Sequence, residues 1–273
     1  VHSTGCIFVV VEYVFVPARL KFENVNTDAI IKTTGLNRIM QEACGGALRP
    51  GLRSFIIPVN TFKKILIMKT DLTKYYKSYY TANTRPELVT VEAAQYLSLT
   101  GKGDPSAPDY AARLQALYAT AYALKFMYKA KALDFTVAKL EGLWWFDEKQ
   151  YGDVKIQEAP RKIPRSEWEY RLLIRLPDFV READVWTAKE AAFQKKGIAG
   201  IQEVTFYEME EGKVVQMLHV GPFDTEPETL LEMKAFMDEH HFQRNGKHHE
   251  IYLSDFRKTP PAKLKTILRE PVK

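Results

Sequence analysis

Cysteine is almost absent from this 273-residue chain, and both examples, Cys6 and Cys44, fall near the N-terminus. The rest of the chain therefore has no thiol nucleophile and no disulfide framework, which fits a reducing, cytoplasmic setting. Long apolar runs are missing too. Ile7–Val16 is interrupted by Glu12 and is too short to span a bilayer. It also lacks the basic lead and small-residue cleavage pattern of a signal peptide. No later stretch approaches a membrane span, so a soluble protein without membrane contact is expected. Gly-x-Ser-x-Gly does not occur, and Gly101-Lys102-Gly103 lacks the further glycine of a dinucleotide loop. The pairs His240-His241 and His248-His249 match no established ligand spacing, so neither a metal nor a cofactor is expected.

Charge of one sign is scarce outside the first quarter. The formal net charge is +5, and residues 1–67 hold eight Lys/Arg against four Asp/Glu, which accounts for most of it. The remainder is close to neutral, and this argues against direct nucleic-acid binding. Residues 1–67 also read poorly as a domain, because their two apolar runs, Ile7–Val16 and Phe55–Val59, have no partner of clear register. At Met68 the texture changes to a polar lead-in. The extension is either an upstream start placed too early or a genuine, loosely ordered addition. A second domain is expected over 68–273.

Within 68–273 the patterning occurs twice. A strand at Leu88–Thr100 is followed by the turn Gly101–Asp109, a helix to about Lys129, and strands at Leu133–Trp145 and Trp168–Leu176. A strand at Val214–Val220 is followed by Gly221–Glu228, a helix to about Phe242, and strands at His248–Asp255 and Leu264–Pro271. Ser106 and Thr225 read as the two helix N-caps, each with a proline at N2 and a carboxylate at N3. Asp178–Lys195 and Glu203–Met209 read as a helix and a strand between the units, and Asp147–Glu167 as a long mobile loop. The fold class is thus α+β: duplicated β-α-β-β units joined into one curved antiparallel sheet, with helices on one side and a central ligand cleft.

The run His248–Asp255 carries the chemistry. At period two, Ile251 and Leu253 face one way, and Glu250 and Tyr252 the other. If Ile251 and Leu253 pack on the helices, Glu250 and Tyr252 point into the opposite, concave face. The bland alternative is a solvated strand face. Of the adjacent Trp144 and Trp145, only one can face a cleft, and the residues alone do not choose between them. Tyr118, Tyr122 and Phe126 read as core of the first helix.

Several stretches, in order over about three-quarters of the chain, resemble the GyrI-like small-molecule-binding family. They are Gly101–Pro105, Glu141–Trp145, Pro177–Val180, Gln216–Asp224, Glu250–Asp255 and Lys263–Arg269. The match is closest to the stand-alone bacterial branch that includes cyclopropanoid hydrolases, and Leu176 departs from a common polar residue there. The resemblance implies an SHS2-like duplicated fold and a cleft whose main polar group is the strand glutamate matched by Glu250. It also implies an aromatic lining matched by Tyr252, Trp144 and Trp145. The ligands implied are planar or cationic aromatic molecules. In the hydrolase-like branch the implied reaction is the detoxifying ring opening of cyclopropane-bearing DNA alkylators, with Glu250 as the water-positioning base and Tyr252 near the developing oxyanion. The alternative is a non-catalytic sequestering or sensing module, for multiple drugs or in contact with gyrase, and no residue marks a gyrase contact.

A protein that begins at Met68 is expected to fold cooperatively and bind the same ligands as the full chain. Thermal unfolding and ligand titration of the shortened protein check this, and loss of soluble protein would show that the extension is required.

Overall fold

The structure is a computed structural model that describes residues 69–273 apart from Asp153 and Ile156, so the expectation for residues 1–67 lies outside the described residues. Among the described residues, eight strands form one antiparallel sheet. They are β1 (Glu87–Val91), β2 (Ala94–Lys102), β3 (Leu140–Trp145), β4 (Glu169–Arg175), β5 (Thr205–Met209), β6 (Gly212–Val220), β7 (His248–Tyr252) and β8 (Lys265–Pro271). Three long helices accompany them: α1 (Pro108–Ala130), α2 (Glu182–Lys196) and α3 (Glu226–Glu239). The segment expected as a featureless loop carries three short helical turns, at Glu148–Tyr151, Ala159–Lys162 and Arg165–Glu167.

The strand order, β1-β6-β8-β7-β3-β4-β2-β5, is symmetric about the β7/β3 pair. The two halves match strand for strand, first residue on first residue. In one half Glu87 lies opposite Gln216; in the other its counterpart Thr205 lies opposite Ser98. Glu250 opposite Leu268 corresponds likewise to Gly142 opposite Leu172. The expected strand at Leu88–Thr100 is in fact β1 and β2, which share no partner: β1 pairs β6, while β2 pairs β4 and β5. Each half therefore lends its leading strand to the other. Only Glu92 and Ala93 join β1 to β2, so Val91 and Ala94 lie within about 11 Å. The first and seventh strands of an eight-stranded order can be that close only if the sheet curls strongly.

Thr225 is the N-cap of α3 as expected, Ser106 is not that of α1, and neither hydroxyl caps its helix. Asp104 takes the Ser106 hydroxyl, Ala107 is the N-cap of α1, and no side chain caps it. The Thr225 hydroxyl is spent on the Pro222 carbonyl, again without capping α3. Burial rather than capping holds these helices. Leu117 and Leu124 of α1 share a core with Leu97, Leu99, Leu172 and Ile174, while Leu230, Met233 and Met237 of α3 cover Val215, Met217 and Leu268.

The other face of the sheet is filled by a buried polar network. Glu141 accepts from Tyr79 (2.5 Å) and contacts His249 Nε2 at 3.1 Å. His249 Nδ1 meets Glu211 at 2.9 Å, and Arg269 reaches Gln216 at 2.9 Å and the Tyr79 carbonyl at 2.6 Å. Two carboxylates thus face two cations, and the segment around Tyr79 is fastened into the sheet. Burial opposes the charge on His249, but Glu211 and Glu141 outweigh it and raise its pKa from 6.5 to about 9.

This shift predicts a pH dependence. A raised folded-state pKa gives stability that is full below about pH 6.5 and lost as pH rises through about 9. The thermal unfolding midpoint should fall across that window. His249→Gln should lower stability at neutral pH by about 3–5 kcal/mol, since it leaves buried carboxylates uncompensated. It should also reduce the pH slope without abolishing it, because His248 titrates higher in the same direction. A slope unchanged in the variant would contradict the assignment.

Candidate functional site

Directly paired residues on neighbouring antiparallel strands share a face. One such row runs Met217, Leu268, Glu250, Gly142, Leu172, Leu99 across six strands. Its ends lie under α3 and α1, so Glu250 and Tyr252 point to the helix-bearing face, into the gap between the two helices. This corrects the expectation that they point into the opposite face. Ile251 turns the other way, paired with Glu141 and Ile267, and is fully buried there.

Glu250 is held from both sides. Its Oε2 accepts from the Tyr252 hydroxyl at 2.6 Å, and its Oε1 lies 3.3 Å from His248 Nε2. Tyr252 in turn accepts from Trp144 Nε1 at 3.0 Å. Behind His248, Nδ1 meets Glu270 at 2.6 Å, and Glu270 is paired with Arg244 at 2.8 Å. Burial works against protonation of His248, but Glu270 and Glu250 outweigh it and raise its pKa to about 10, so it is a cation at neutral pH. Burial would raise Glu270, but His248 and Arg244 hold it below the usual carboxylate range. Burial and the Glu250 charge push the Tyr252 phenol well above its ordinary value. The Glu250 side chain keeps 13% exposure, enough for water to reach it.

Of the two tryptophans, Trp144 stands beside Glu250 and Tyr252. Trp145 faces the other way, donating to Glu169 at 2.7 Å under the Lys247 ammonium. Tyr110 of α1 stacks near Trp144, and Phe223 packs edge-on against Tyr252, followed by Phe256. Phe223 and Phe256 are 40% and 37% exposed and form an aromatic rim. Tyr122 and Phe126, expected as core, are exposed instead, because α1 turns that side outward. The adjacent His248 and His249 serve opposite faces, each occupied by carboxylates.

Three participants were not legible beforehand. In the sequence His248 stood out only as half of a histidine pair without ligand spacing, and Gly142 had no visible role. Glu226, the first residue of α3, is 8% exposed, and its Oε1 has no hydrogen-bond partner among the described residues. Burial first, and then the Glu250 charge, raise its pKa well above the ordinary value against the pull of His248. Two hollows lie beside the site and are not lined by Glu250. One of about 370 Å³, between α3 and Phe146, Val154 and Gln157, reaches Arg244 and Glu270. One of about 380 Å³ is bounded by His219, Thr225 and Glu228.

Residues 178–273 match the model of the GyrI-like small molecule binding domain. The chain is 39% identical to an uncharacterized conserved protein from Listeria innocua, with 75% of this chain and all of that one covered and a TM-score of 0.68. Two structures of a hydrolase from the same organism match at 39% and 38% identity, with TM-scores of 0.65 and 0.66. They cover 75% and 76% of this chain and all of their own. No curated protein matches.

Gly142 has to be glycine for the site to close. A Cβ there would come within 2.8 Å of Trp144 Nε1 and 3.2 Å of the Tyr252 hydroxyl. Gly142→Ala is expected to fold with a loss of about 1–3 kcal/mol, the usual cost of overpacking. The Trp144 indole N–H resonance should move as its bond to Tyr252 breaks. An unmoved resonance would show that the close approach is not maintained in solution.

Proposed function

The chain belongs to the GyrI-like small-molecule-binding family, and from that premise we propose that it binds planar or cationic aromatic molecules between α1 and α3 and opens cyclopropane-bearing electrophiles with water. The observation that carries this reading is the fixed, water-accessible carboxylate of Glu250, oriented by Tyr252 on one oxygen and His248 on the other. The relatives from Listeria innocua named as hydrolases support turnover over capture alone.

In a spirocyclopropane joined to a dienone, water attacks the ring methylene and the ring C–C bond breaks. The electrons collect on the carbonyl oxygen as a phenolate. Glu250 positions the water and takes its proton. His248, held by Glu270, keeps the carboxylate aimed. The single Tyr252 O–H is directed at Glu250, so this phenol orients the base and is not free to serve the oxyanion. Trp144, Phe223 and Phe256 supply the aromatic surfaces on which a flat ligand stacks.

Mass spectrometry of a cyclopropane-bearing alkylator after incubation should show the gain of one water. Recovery of the unchanged ligand in a complex would establish capture and overturn the hydrolase reading. Glu250→Gln should retain affinity for the neutral ring-opened product and lower turnover by roughly 10²–10⁴, the usual worth of a positioned base. Tyr252→Phe should slow turnover while leaving the stacking surface intact. Wild-type turnover in Glu250→Gln would exclude the carboxylate from the reaction.

A further inference from the structure

The phenolate released by ring opening needs a proton, and the groups around Glu250 are largely committed. Tyr252 donates to Glu250, Trp144 donates to Tyr252, and His248 uses both ring nitrogens on Glu270 and Glu250. Glu226 is different. It opens α3 directly after the turn Phe223–Thr225, whose Phe223 ring lies 5.9 Å from the Tyr252 ring. Its side chain is buried beside Glu250 and His248, and one carboxyl oxygen has no hydrogen-bond partner among the described residues.

We propose that Glu226 is the general acid of the ring opening, giving its proton to the substrate's carbonyl oxygen while Glu250 draws one from water. This rests on the hydrolase reading of the same site. The step balances. A C–O bond forms between water and the methylene, the cyclopropane C–C bond breaks, and its electron pair passes through the dienone to oxygen. That oxygen receives the Glu226 proton, Glu250 holds the water's proton, and exchange with solvent returns one carboxylic acid and one carboxylate.

The physical basis is two carboxyl groups in environments that drive them apart. A helix N-terminus ordinarily favours the ionised form. Here burial and the neighbouring Glu250 charge oppose it and raise the Glu226 pKa well above its ordinary value. The ionisable groups that face it are Glu250, His248 and Tyr252 on β7, with Glu270 on β8 behind His248. Tyr110 of α1, which also feels Glu250, is the competing donor.

Glu226→Gln keeps the shape of the neutral acid and removes its transferable proton. Turnover is expected to fall by roughly a hundredfold or more, the usual worth of a positioned acid. The unfolding midpoint and the affinity for the ring-opened phenol should stay near those of the wild type. The wild-type rate should decline at alkaline pH as Glu226 ionises, and the variant should lack that decline. Independently, infrared spectroscopy of the ligand-free protein at neutral pH should show a protonated-carboxyl band that disappears in Glu226→Gln. Wild-type turnover in the variant, absence of that band, or loss of turnover in Tyr110→Phe alone would each overturn the proposal. Absence of hydrolysis by the wild type would instead overturn the role of Glu250, and that of Glu226 with it, while the band still reports where the proton sits.

Discussion

A carboxylate in the middle of a sheet is driven either to neutrality or out of the core unless its charge is answered on the spot. At Glu250 the answer is a line of groups running through three strands. Arg244, Glu270, His248 and Glu250 alternate in sign, and Tyr252 and Trp144 close the line with neutral donors. The links His248–Glu270 and Tyr252–Trp144 depend on the antiparallel pairing of β7 with β8 and β3. A slip of one residue would send Glu250 to the other face and His249 to this one. The site is therefore built on strands rather than loops, which gives its groups a more exact placement than a loop could.

The reverse face answers the same problem with a separate set of charges. Glu141, Glu211, His249 and Arg269 balance one another in the dark of the sheet, and Tyr79 is bonded to both Glu141 and Arg269. Because a strand alternates, neighbouring histidines serve two independent networks. One histidine meets the carboxylate of the site, and the other bridges Glu141 and Glu211 on the reverse face.

Much of this was legible in the sequence. The β-α-β-β repeat showed in the two Gly-bearing turns, each leading from a strand into a helix, and the period-two pattern of β7 separated Glu250 and Tyr252 from Ile251. The facing of that strand was not legible, because Ile251 reads as a residue that should meet a helix. Only the row from Met217 to Leu99 shows that it does not. Glu226 was hidden for a related reason. In Thr225-Glu226-Pro227-Glu228 an acidic residue looks like ordinary helix-start chemistry, and only the three-dimensional approach to Glu250 gives it another character. The bend at Glu92-Ala93 was likewise invisible, since both flanking stretches are good strand sequence and differ only in their partners.

The matching of the two halves places Gly142 on Glu250 and Trp144 on Tyr252, and Gly142 and Glu250 also lie opposite each other at the centre of the sheet. Two identical chains joined about such an axis would have to bring the same residue to both sides of it. Two glutamates would crowd and repel, and two glycines would leave nothing to act. A single continuous chain escapes that dilemma, since each side can carry its own residue. Covalent linkage of the repeats is thus what allows a lone negative charge to occupy a position that symmetry would otherwise fill twice or leave empty.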